Sequence, residues 1–584
     1  MRLASIALVL SLPMSAQPNN PDLHELFGRY FEEYLRENPE EATSLGRTEH
    51  NGRWRDWSPD ALDRWRGRMQ HYLNELRGYS LSELNRQDRI SWQLLKDRLE
   101  TEAEGLDYQA GLIRVNQLFG LHTTVLLTVR EMPFRTPSDY EHLIERLHAV
   151  PGYVRQNIAL LREAIREGRT QPARVVDLIV RQLDAQAQPG PDQTPLLASF
   201  TSTPASVGES RADDLGTRAR QAYEQSFRPA WRSLRQFLAD EYAPNARDEP
   251  AVTSLENGAE IYRHFIRYHT SLPHTAEEIH EIGRSEVARI DRAMESVAEA
   301  AGFEGTSAEY ERHLMTDPRY LFSDKRSMLA YHRDLAMRVA PELPRFFRRL
   351  PRHPVGIRAI PPDREAVSAS NYNAPAADGS RPGWFNLKAY MPERQSRFDK
   401  PALVLHETSP GHHLQIALQL EMDSLPEFRK VYHSTAYIEG WALYAESLGG
   451  ALGVYDDHAS RFGALESERF RARRLVTDTG LHAMGWSRQQ AIEFLGDESE
   501  VDRYIAWPGQ ALAYKMGQLE ILALKTAACE AYGEGFDVRD FHAAVLGNGP
   551  LPLDMLREQV GEYISRGEAG GRGRCTEDAT AGVR

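Results

Sequence analysis

Two neighbouring segments contain the residue types of a zinc hydrolase site. His406 and Glu407 are followed, across Thr-Ser-Pro-Gly, by His412 and His413, and Glu439 lies in a later apolar segment. In zinc peptidases two imidazoles and a carboxylate bind the metal, and a glutamate beside the first histidine accepts the proton of the attacking water. The sequence therefore predicts a site for one zinc ion, with Glu407 as the general base.

The spacing departs from the usual His-Glu-x-x-His pattern, in which residues four apart share one face of a helix. On a straight helix, His412 would point about 240° away from His406, and His413 would stand ~10 Å along the axis. Neither could reach a zinc ion that His406 binds at about 2 Å. Pro410 cannot donate a helical hydrogen bond and Gly411 tolerates unusual dihedral angles, so we expect a bulged helix that brings one histidine back.

The dipeptide His-Glu by itself indicates little. It also occurs at residues 24–25 and 280–281, where no second histidine follows at a useful spacing. A His-Glu followed by two histidines across a Pro-Gly break, with a glutamate-bearing apolar helix downstream, is much harder to explain as core packing. Clustered histidines and carboxylates at ligand spacing favour metal binding.

These motifs resemble the bacterial DUF885 family, through His-Glu-x-x-Pro-Gly-His-His-Leu-Gln and Glu-Gly-Trp-Ala-Leu-Tyr-Ala-Glu. The first is also similar to the motif of helical zinc metallocarboxypeptidases of the Taq carboxypeptidase type, which ends in Gly-His. Matching that Gly-His to Gly411 and His412 leaves Glu439 27 residues downstream, near the position of the third ligand in those relatives. The resemblance thus favours His406, His412 and Glu439 as ligands, with His413 as an alternate.

The resemblance covers most of the chain, and its most specific motifs lie between residues 371 and 517. It implies a mainly helical fold with a deep groove and a peptidase-like site. The family name denotes an unassigned function, so it does not fix the substrate.

Glu446 has two further interpretations. It lies seven residues after Glu439 on the same helical face, so it could orient a ligand imidazole or replace Glu439 as the ligand. It could equally be a partly solvated helix carboxylate.

Later motifs offer groups for catalysis and substrate binding. Tyr514 is the first candidate, and His482 the second, to stabilise the oxyanion on the scissile carbonyl. Arg474 and Lys515 could bind a substrate carboxylate, or could form ion pairs with neighbouring helices. Asn386 lies in a predicted strand whose edge could align an extended peptide, or which could be a short structural hairpin.

Helical periodicity dominates the rest of the chain. After Asn20-Pro21, apolar residues recur at three- and four-residue spacing, and Thr275 to Glu278 has the pattern of a capping box. The best strand candidate is 384–390. We therefore predict a mainly α fold, a large helical body with a small β-sheet or hairpin.

The predicted organisation has four parts. Residues 1–16 have the pattern of a secretory signal peptide, with Arg2 before a short apolar run. We expect an N-terminal helical region over 20–260, a catalytic helical region over 261–567 and a frayed tail over 568–584. The mature protein is expected to be periplasmic or secreted.

Composition limits the partners. Acidic residues outnumber basic ones 84 to 70, for a net charge of −14, so we expect no nucleic-acid binding. No stretch after the signal approaches the ~20 apolar residues of a membrane span, so we expect no membrane insertion after signal cleavage. Cys529 and Cys575, the two cysteines, could pair, and the sequence leaves the oligomeric state open.

Together these patterns predict a zinc-dependent peptidase that hydrolyses short peptides, of carboxypeptidase or dipeptidase type. A metal-dependent hydrolase of another amide or ester is one alternative. A helical binding protein that retains the metal without turnover is another. There is no Gly-x-Ser-x-Gly elbow for serine catalysis and no phosphate-binding glycine loop.

Overall fold

The computed structural model describes residues 19–108, 115–361, 365, 369–376, 379 and 381–568. The predicted signal peptide, Cys575 and all but the first residue of the predicted tail lie outside these residues. Helices dominate the described chain, with one small sheet, so the prediction of a mainly α fold is confirmed.

The first helix shows why the periodic segments fold as they do. It spans Pro21–Glu37, and the Asn20 side chain caps it by accepting a hydrogen bond from the Leu23 amide at 3.1 Å. Its apolar face is buried. The predicted capping box is also present, because Thr275 and Glu278 exchange backbone and side-chain hydrogen bonds at 3.0 and 3.2 Å. Local sequence thus sets both helix starts.

The helices before the sheet are α1 Pro21–Glu37, α2 Pro39–Ser44, α3 Pro59–Leu76, α4 Arg86–Asp107, α5 Leu121–Glu131, α6 Pro137–Arg166, α7 Ala173–Ala187, α8 Glu209–Ala222, α9 Arg228–Phe237, α10 Gly258–Thr270, α11 Ala276–Ala300, α12 Ser307–Thr316 and α13 Lys325–Val339. The helices after it are α14 Lys400–Glu407, α15 His412–Leu420, α16 Glu427–Lys430, α17 Thr435–Glu446, α18 His458–His482, α19 Arg488–Leu495, α20 Glu498–Ala506, α21 Ala513–Tyr532, α22 Val538–Leu546 and α23 Leu553–Glu568. None of the helices in the described chain is both long and apolar enough to cross a bilayer.

The sheet contains three strands, β1 Val355–Ala359, β2 Asn371–Asn373 and β3 Gly383–Leu387, in the order β1-β3-β2. The predicted strand at 384–390 corresponds to β3. It is the central strand, parallel to β1 and antiparallel to β2. Its backbone is therefore paired on both sides, and the outer strands of the described sheet are β1 and β2.

Two large hydrophobic cores organise the helices. One combines residues between 23 and 99 with residues between 252 and 560, and it contains the apolar residues of α14, α15 and α17. The other is formed mainly by residues between 115 and 242 and is completed by residues between 481 and 511. The first core therefore extends across the predicted boundary between residues 260 and 261.

A close helix crossing sets the position of α17. A Cβ atom on Gly440 would collide with the Cα of Gly517, and one on Gly517 would collide with the carbonyl oxygen of Ala436. Only glycine permits α17 and α21 to approach this closely. The crossing brings Glu439 on α17 and Tyr514 on α21 to the same region of the core.

Candidate metal centre

A break between two helices replaces the predicted bulged helix. Helix α14 ends at Glu407 and α15 begins at His412, so a four-residue turn separates them. The Gly411 amide donates to the carbonyl oxygen of Leu405 at 2.9 Å, and the Trp441 indole donates to the carbonyl oxygen of Pro410 at 2.9 Å. These bonds close the turn where proline cannot continue the helical ladder.

The turn requires glycine at position 411. A Cβ atom there would collide with the carbonyl oxygens of Leu405 and His406. The absence of a side chain lets the chain fold back on α14, so that the first residue of α15 faces the last turn of α14. His412 is that residue.

Three side chains converge at this point. Glu439 Oε2 lies 3.6 Å from His406 Nε2 and 3.4 Å from His412 Nε2, and the three atoms lie within 4.8 Å of one another. Two ligands bound to tetrahedral zinc at about 2.0–2.1 Å stand about 3.3 Å apart. The observed spacing is too long for good hydrogen bonds and close to that of ligands around one ion.

Glu439 gives a second test of this fit. Its Oε2 atom is buried and has no hydrogen-bond partner in the described structure. An unpaired buried carboxylate oxygen is costly, and a cation beside it removes the cost. His406, His412 and Glu439 therefore fit a divalent metal ion of the zinc class, with nitrogen and oxygen ligands.

Glu446 lies behind His406. Its Oε1 atom is 2.8 Å from Nδ1 of His406, and its Oε2 accepts a hydrogen bond from Ser467 Oγ at 2.6 Å. Burial raises the pKa of Glu446, but Arg471, His406 and Ser467 outweigh it and hold the pKa below its usual value. An ionised Glu446 keeps the proton on Nδ1 and leaves Nε2 with its lone pair toward Glu439. Of its predicted roles, this geometry matches the orienting partner.

His413 points away from the cluster. Its Nδ1 atom lies 2.9 Å from the Tyr372 hydroxyl, and its Nε2 lies 3.0 Å from the carbonyl oxygen of His353. Because a carbonyl only accepts, Nε2 carries the proton and Tyr372 donates to Nδ1. Both nitrogens are thus engaged away from the cluster, and of the two histidines only His412 joins it.

Glu407 has the environment of a general base. It is buried, and its carboxylate makes no hydrogen bond or ion pair with any residue that the structure describes. Burial raises its pKa, His406 and His412 oppose this shift, and Glu439 adds to it. Buried carboxylates are almost always paired, so an unpaired one beside candidate metal ligands indicates chemistry rather than packing.

Tyr514 also lies near the cluster, because the centre of its ring is 6.5 Å from that of the His406 ring. Its hydroxyl accepts hydrogen bonds from Arg503 at 3.0 Å and from the Gln510 amide nitrogen at 3.3 Å. The amide orientation is fixed because Gln510 Oε1 accepts from Arg503 at 2.6 Å. The proton of the Tyr514 hydroxyl has no acceptor among the described residues, so it is free for an oxygen of a ligand.

The structure does not bring His482 to the cluster. This residue is fully buried, its Nδ1 accepts from the Val252 amide at 3.1 Å, and its Nε2 donates to the carbonyl oxygen of Tyr504 at 3.0 Å. Both nitrogens are used by the backbone, so His482 has no donor left for an oxyanion.

The predicted substrate-binding residues have structural partners. Lys515 is completely buried between Glu286 and Glu468, at 2.9 and 2.6 Å. Arg474 pairs with Glu500 at 2.9 Å, and its guanidinium lies 4.4 Å from the centre of the Tyr514 ring. Lys515 therefore has no free charge for a substrate, and Arg474 supports the ring of Tyr514.

Asn386 also has a structural role. Its side chain accepts from Arg358 at 2.8 Å, donates to Asn371 at 3.0 Å and contacts Asn373. Because β3 is central, its backbone cannot pair with a peptide. Of the two outer strands of the described sheet, β2 contains Tyr372, whose ring lies 6.4 Å from that of His412.

Sequence reasoning missed four residues around the cluster: Ser467, Arg503 and Gln510, which hold Glu446 and Tyr514, and His433, which lies just before α17. Ser467 and Arg503 act between separate helices, whereas Gln510 lies only four residues before Tyr514. The local signals were the positions of Gln510, four residues before Tyr514, and of His433, six residues before Glu439.

Comparison with known proteins agrees with the fold. The family described as "Bacterial protein of unknown function (DUF885)" matches residues 39–560. A solved structure titled "putative lipoprotein" from Colwellia psychrerythraea has 26% identity and a TM-score of 0.89, covering 93% of this chain and 99% of its own. A "putative lipoprotein of unknown function" from Shewanella oneidensis has 16% identity and a TM-score of 0.71, covering 92% and 99%. No curated protein matches the chain.

Proposed function

This chain belongs to the DUF885 family of bacterial proteins, and from that premise we propose that it is a zinc-dependent peptidase acting on short peptides. One observation carries the proposal. His406, His412 and Glu439 converge at ligand spacing beside Glu407, a buried carboxylate without a partner among the described residues. This is the residue set that metal-assisted peptide hydrolysis requires.

His406, His412 and Glu439 would hold the ion, which when bound lowers the pKa of water and polarises a carbonyl. Glu407 accepts the proton of the attacking water and passes it to the leaving amine. The Tyr514 hydroxyl, whose proton has no acceptor among the described residues, donates a hydrogen bond to the oxyanion of the tetrahedral intermediate. Glu446 keeps the His406 imidazole in one tautomer and orientation.

The substrate side of the proposal rests on the sheet. An extended peptide that pairs with the outer side of β2 would lie beside His412, because the Tyr372 and His412 rings are 6.4 Å apart. A carboxypeptidase or dipeptidase, similar to the Taq carboxypeptidase type, is the proposed class. We also propose that the protein is exported, on the basis of the signal-like residues 1–16.

The test is mass spectrometry of a diverse peptide mixture digested by the purified zinc-loaded protein. A Glu407→Gln variant and a chelator-treated sample are run in parallel. We expect cleavage with the intact zinc form alone, and the products would identify the end that is attacked.

A further variant, Glu493→Gln, controls for the loss of one carboxylate, since Glu493 is exposed and far from Glu407 along the chain. It should cut as the wild type does. Intact peptides in every sample, with zinc still bound, would contradict the proposal and favour another amide or ester substrate, or a binding role.

A further inference from the structure

A large cavity is lined in part by residues 431–435, the segment that leads into α17, the helix of Glu439. Its volume is about 970 Å³, and its walls come from α1, α2, α4, α10, the start of α11, the segment before α17 and the start of α23. Small-molecule sites span about 300–1,000 Å³, so this cavity has the size of a ligand of several residues rather than of one amino acid.

His433 connects the cavity to the cluster. Its side chain lines the cavity, where it is open to solvent but surrounded by protein on several sides, and it makes no hydrogen bond with any described residue. Its ring is close enough to Glu439 and His412 on one side, and to Arg98 on the other, for each to shift its pKa, although burial is the main cause of the lowered value. His433 therefore lies on the wall of the cavity and within electrostatic range of the candidate ligands Glu439 and His412.

Tyr432, the residue before His433, also lines the cavity. Its hydroxyl interacts electrostatically with Asp97, Arg98 and Asp554. Tyr432, Asp97 and Asp554 line the same cavity as His433, so one bound chain could contact all four residues. A peptide held at the cluster could reach Asp97 and Asp554.

The charge of the cavity is unbalanced. Among its cations, Arg98 pairs with Glu102 at 2.9 Å, Arg267 with Glu104 at 3.4 Å and Arg557 with Glu520 at 2.7 Å. In the described structure, one lining arginine and four lining carboxylates make no ion pair: Arg263, Glu41, Asp97, Glu277 and Asp554. The unpaired carboxylates outnumber the unpaired cation, so the cavity attracts positive charge.

Asp97 and Asp554 both line the cavity. Burial raises the pKa of Asp97 and the charge of Asp554 raises it further, while Arg267 and Lys96 oppose the shift. Neither carboxylate forms an ion pair with a described residue, and each disfavours the ionised form of the other. A cation placed between them would relieve this repulsion.

We propose that this cavity binds the part of a peptide substrate that extends from the scissile bond, and that Asp97 and Asp554 select chains with a lysine or arginine side chain there. The inference rests on the proposed peptidase function and names its substrate class. His433 is the point at which the bound chain passes from the cavity to the metal cluster.

Cleavage is measured with the zinc-loaded full-length protein on hexapeptides that differ only in one internal residue, lysine, glutamine or glutamate. We expect kcat/KM to be at least about tenfold higher for the lysine peptide than for the glutamate peptide, a difference of about 1.4 kcal/mol. In the double variant Asp97→Asn and Asp554→Asn this preference should disappear.

The double variant should fold, because it removes a repulsion. Its melting temperature checks this, and Asp213→Asn, which neutralises an exposed carboxylate on α8, is the matched control that should keep the lysine preference. A wild type without charge preference, or a preference that survives in the folded double variant, would overturn the inference.

A binding measurement separates this inference from the proposed function. Calorimetric titration of the same hexapeptides into zinc-loaded Glu407→Gln protein needs no turnover. Tighter binding of lysine peptides that is lost with Asp97→Asn and Asp554→Asn supports the cavity assignment even if the wild type cuts no peptide. Equal binding of all three peptides contradicts it, whatever the outcome of the cleavage assay.

Discussion

The carboxylate of Glu446 lies 2.8 Å from Nδ1 of His406, and both side chains are buried. The two residues are 40 positions apart, on α17 and α14. This contact fixes which nitrogen of His406 faces Glu439 and His412, and it makes the cluster a preformed site rather than three neighbouring side chains.

We expect Glu446→Gln to weaken zinc binding by about 10- to 100-fold, the usual effect of losing a carboxylate behind a ligand imidazole. The amide keeps the size of the side chain but removes the charge that makes His406 a stronger ligand. Competition with a chelator of known affinity measures the change. Unchanged affinity would show that the contact is only structural.

Alanine substitutions of the adjacent residues His412 and His413 should differ sharply in their effect on zinc binding. His412→Ala should lose stoichiometric zinc, because His412 supplies one of three converging atoms. His413→Ala should retain one zinc per chain, since its nitrogens bind Tyr372 and the His353 carbonyl. Metal analysis after dialysis gives the answer, and the reverse result would reassign the ligand.

Tyr514→Phe should lower kcat by about 10²- to 10³-fold with little change in KM, as expected for the loss of one oxyanion donor. Phenylalanine keeps the ring against Arg474, so zinc content should stay at the wild-type level. Steady-state kinetics with a single cleaved peptide provides the measurement. A variant with normal kcat would remove Tyr514 from the reaction.

His482 should make stability depend on pH. Burial lowers its pKa to about 4, and its two hydrogen bonds require the neutral ring. The stabilisation is present above the unfolded pKa of about 6.5 and is lost as the pH falls toward 4, up to about 3 kcal/mol.

Melting temperatures between pH 7 and pH 4 check this dependence. The wild type should lose stability on acidification, and His482→Gln, although less stable at pH 7, should lose less over the same range. Parallel curves for the two proteins would contradict the assignment.

Local sequence determined the helices and the residue types of the site. Asn20 and Thr275 cap helices through atoms within three residues, and Pro410 with Gly411 ends α14 by removing one donor and one side chain. These effects act between near neighbours along the chain, so spacing alone predicts them. The same spacing identified His406 and Glu407 as a pair and indicated that a histidine must return to it.

The tertiary structure decided which polar groups of the site remained without a protein partner. His413, His482, Lys515 and Asn386 had suitable chemistry, but each is occupied by a partner from elsewhere in the chain. Among the described residues of the site, the groups that remain free include Glu407, the proton of Tyr514 and an oxygen of Glu439. A hydrogen-bond partner tens or hundreds of residues away leaves no trace in local spacing, because helix packing decides which residues become partners. Sequence therefore determined the chemistry that the site could contain, and packing determined which side chains remain available for it.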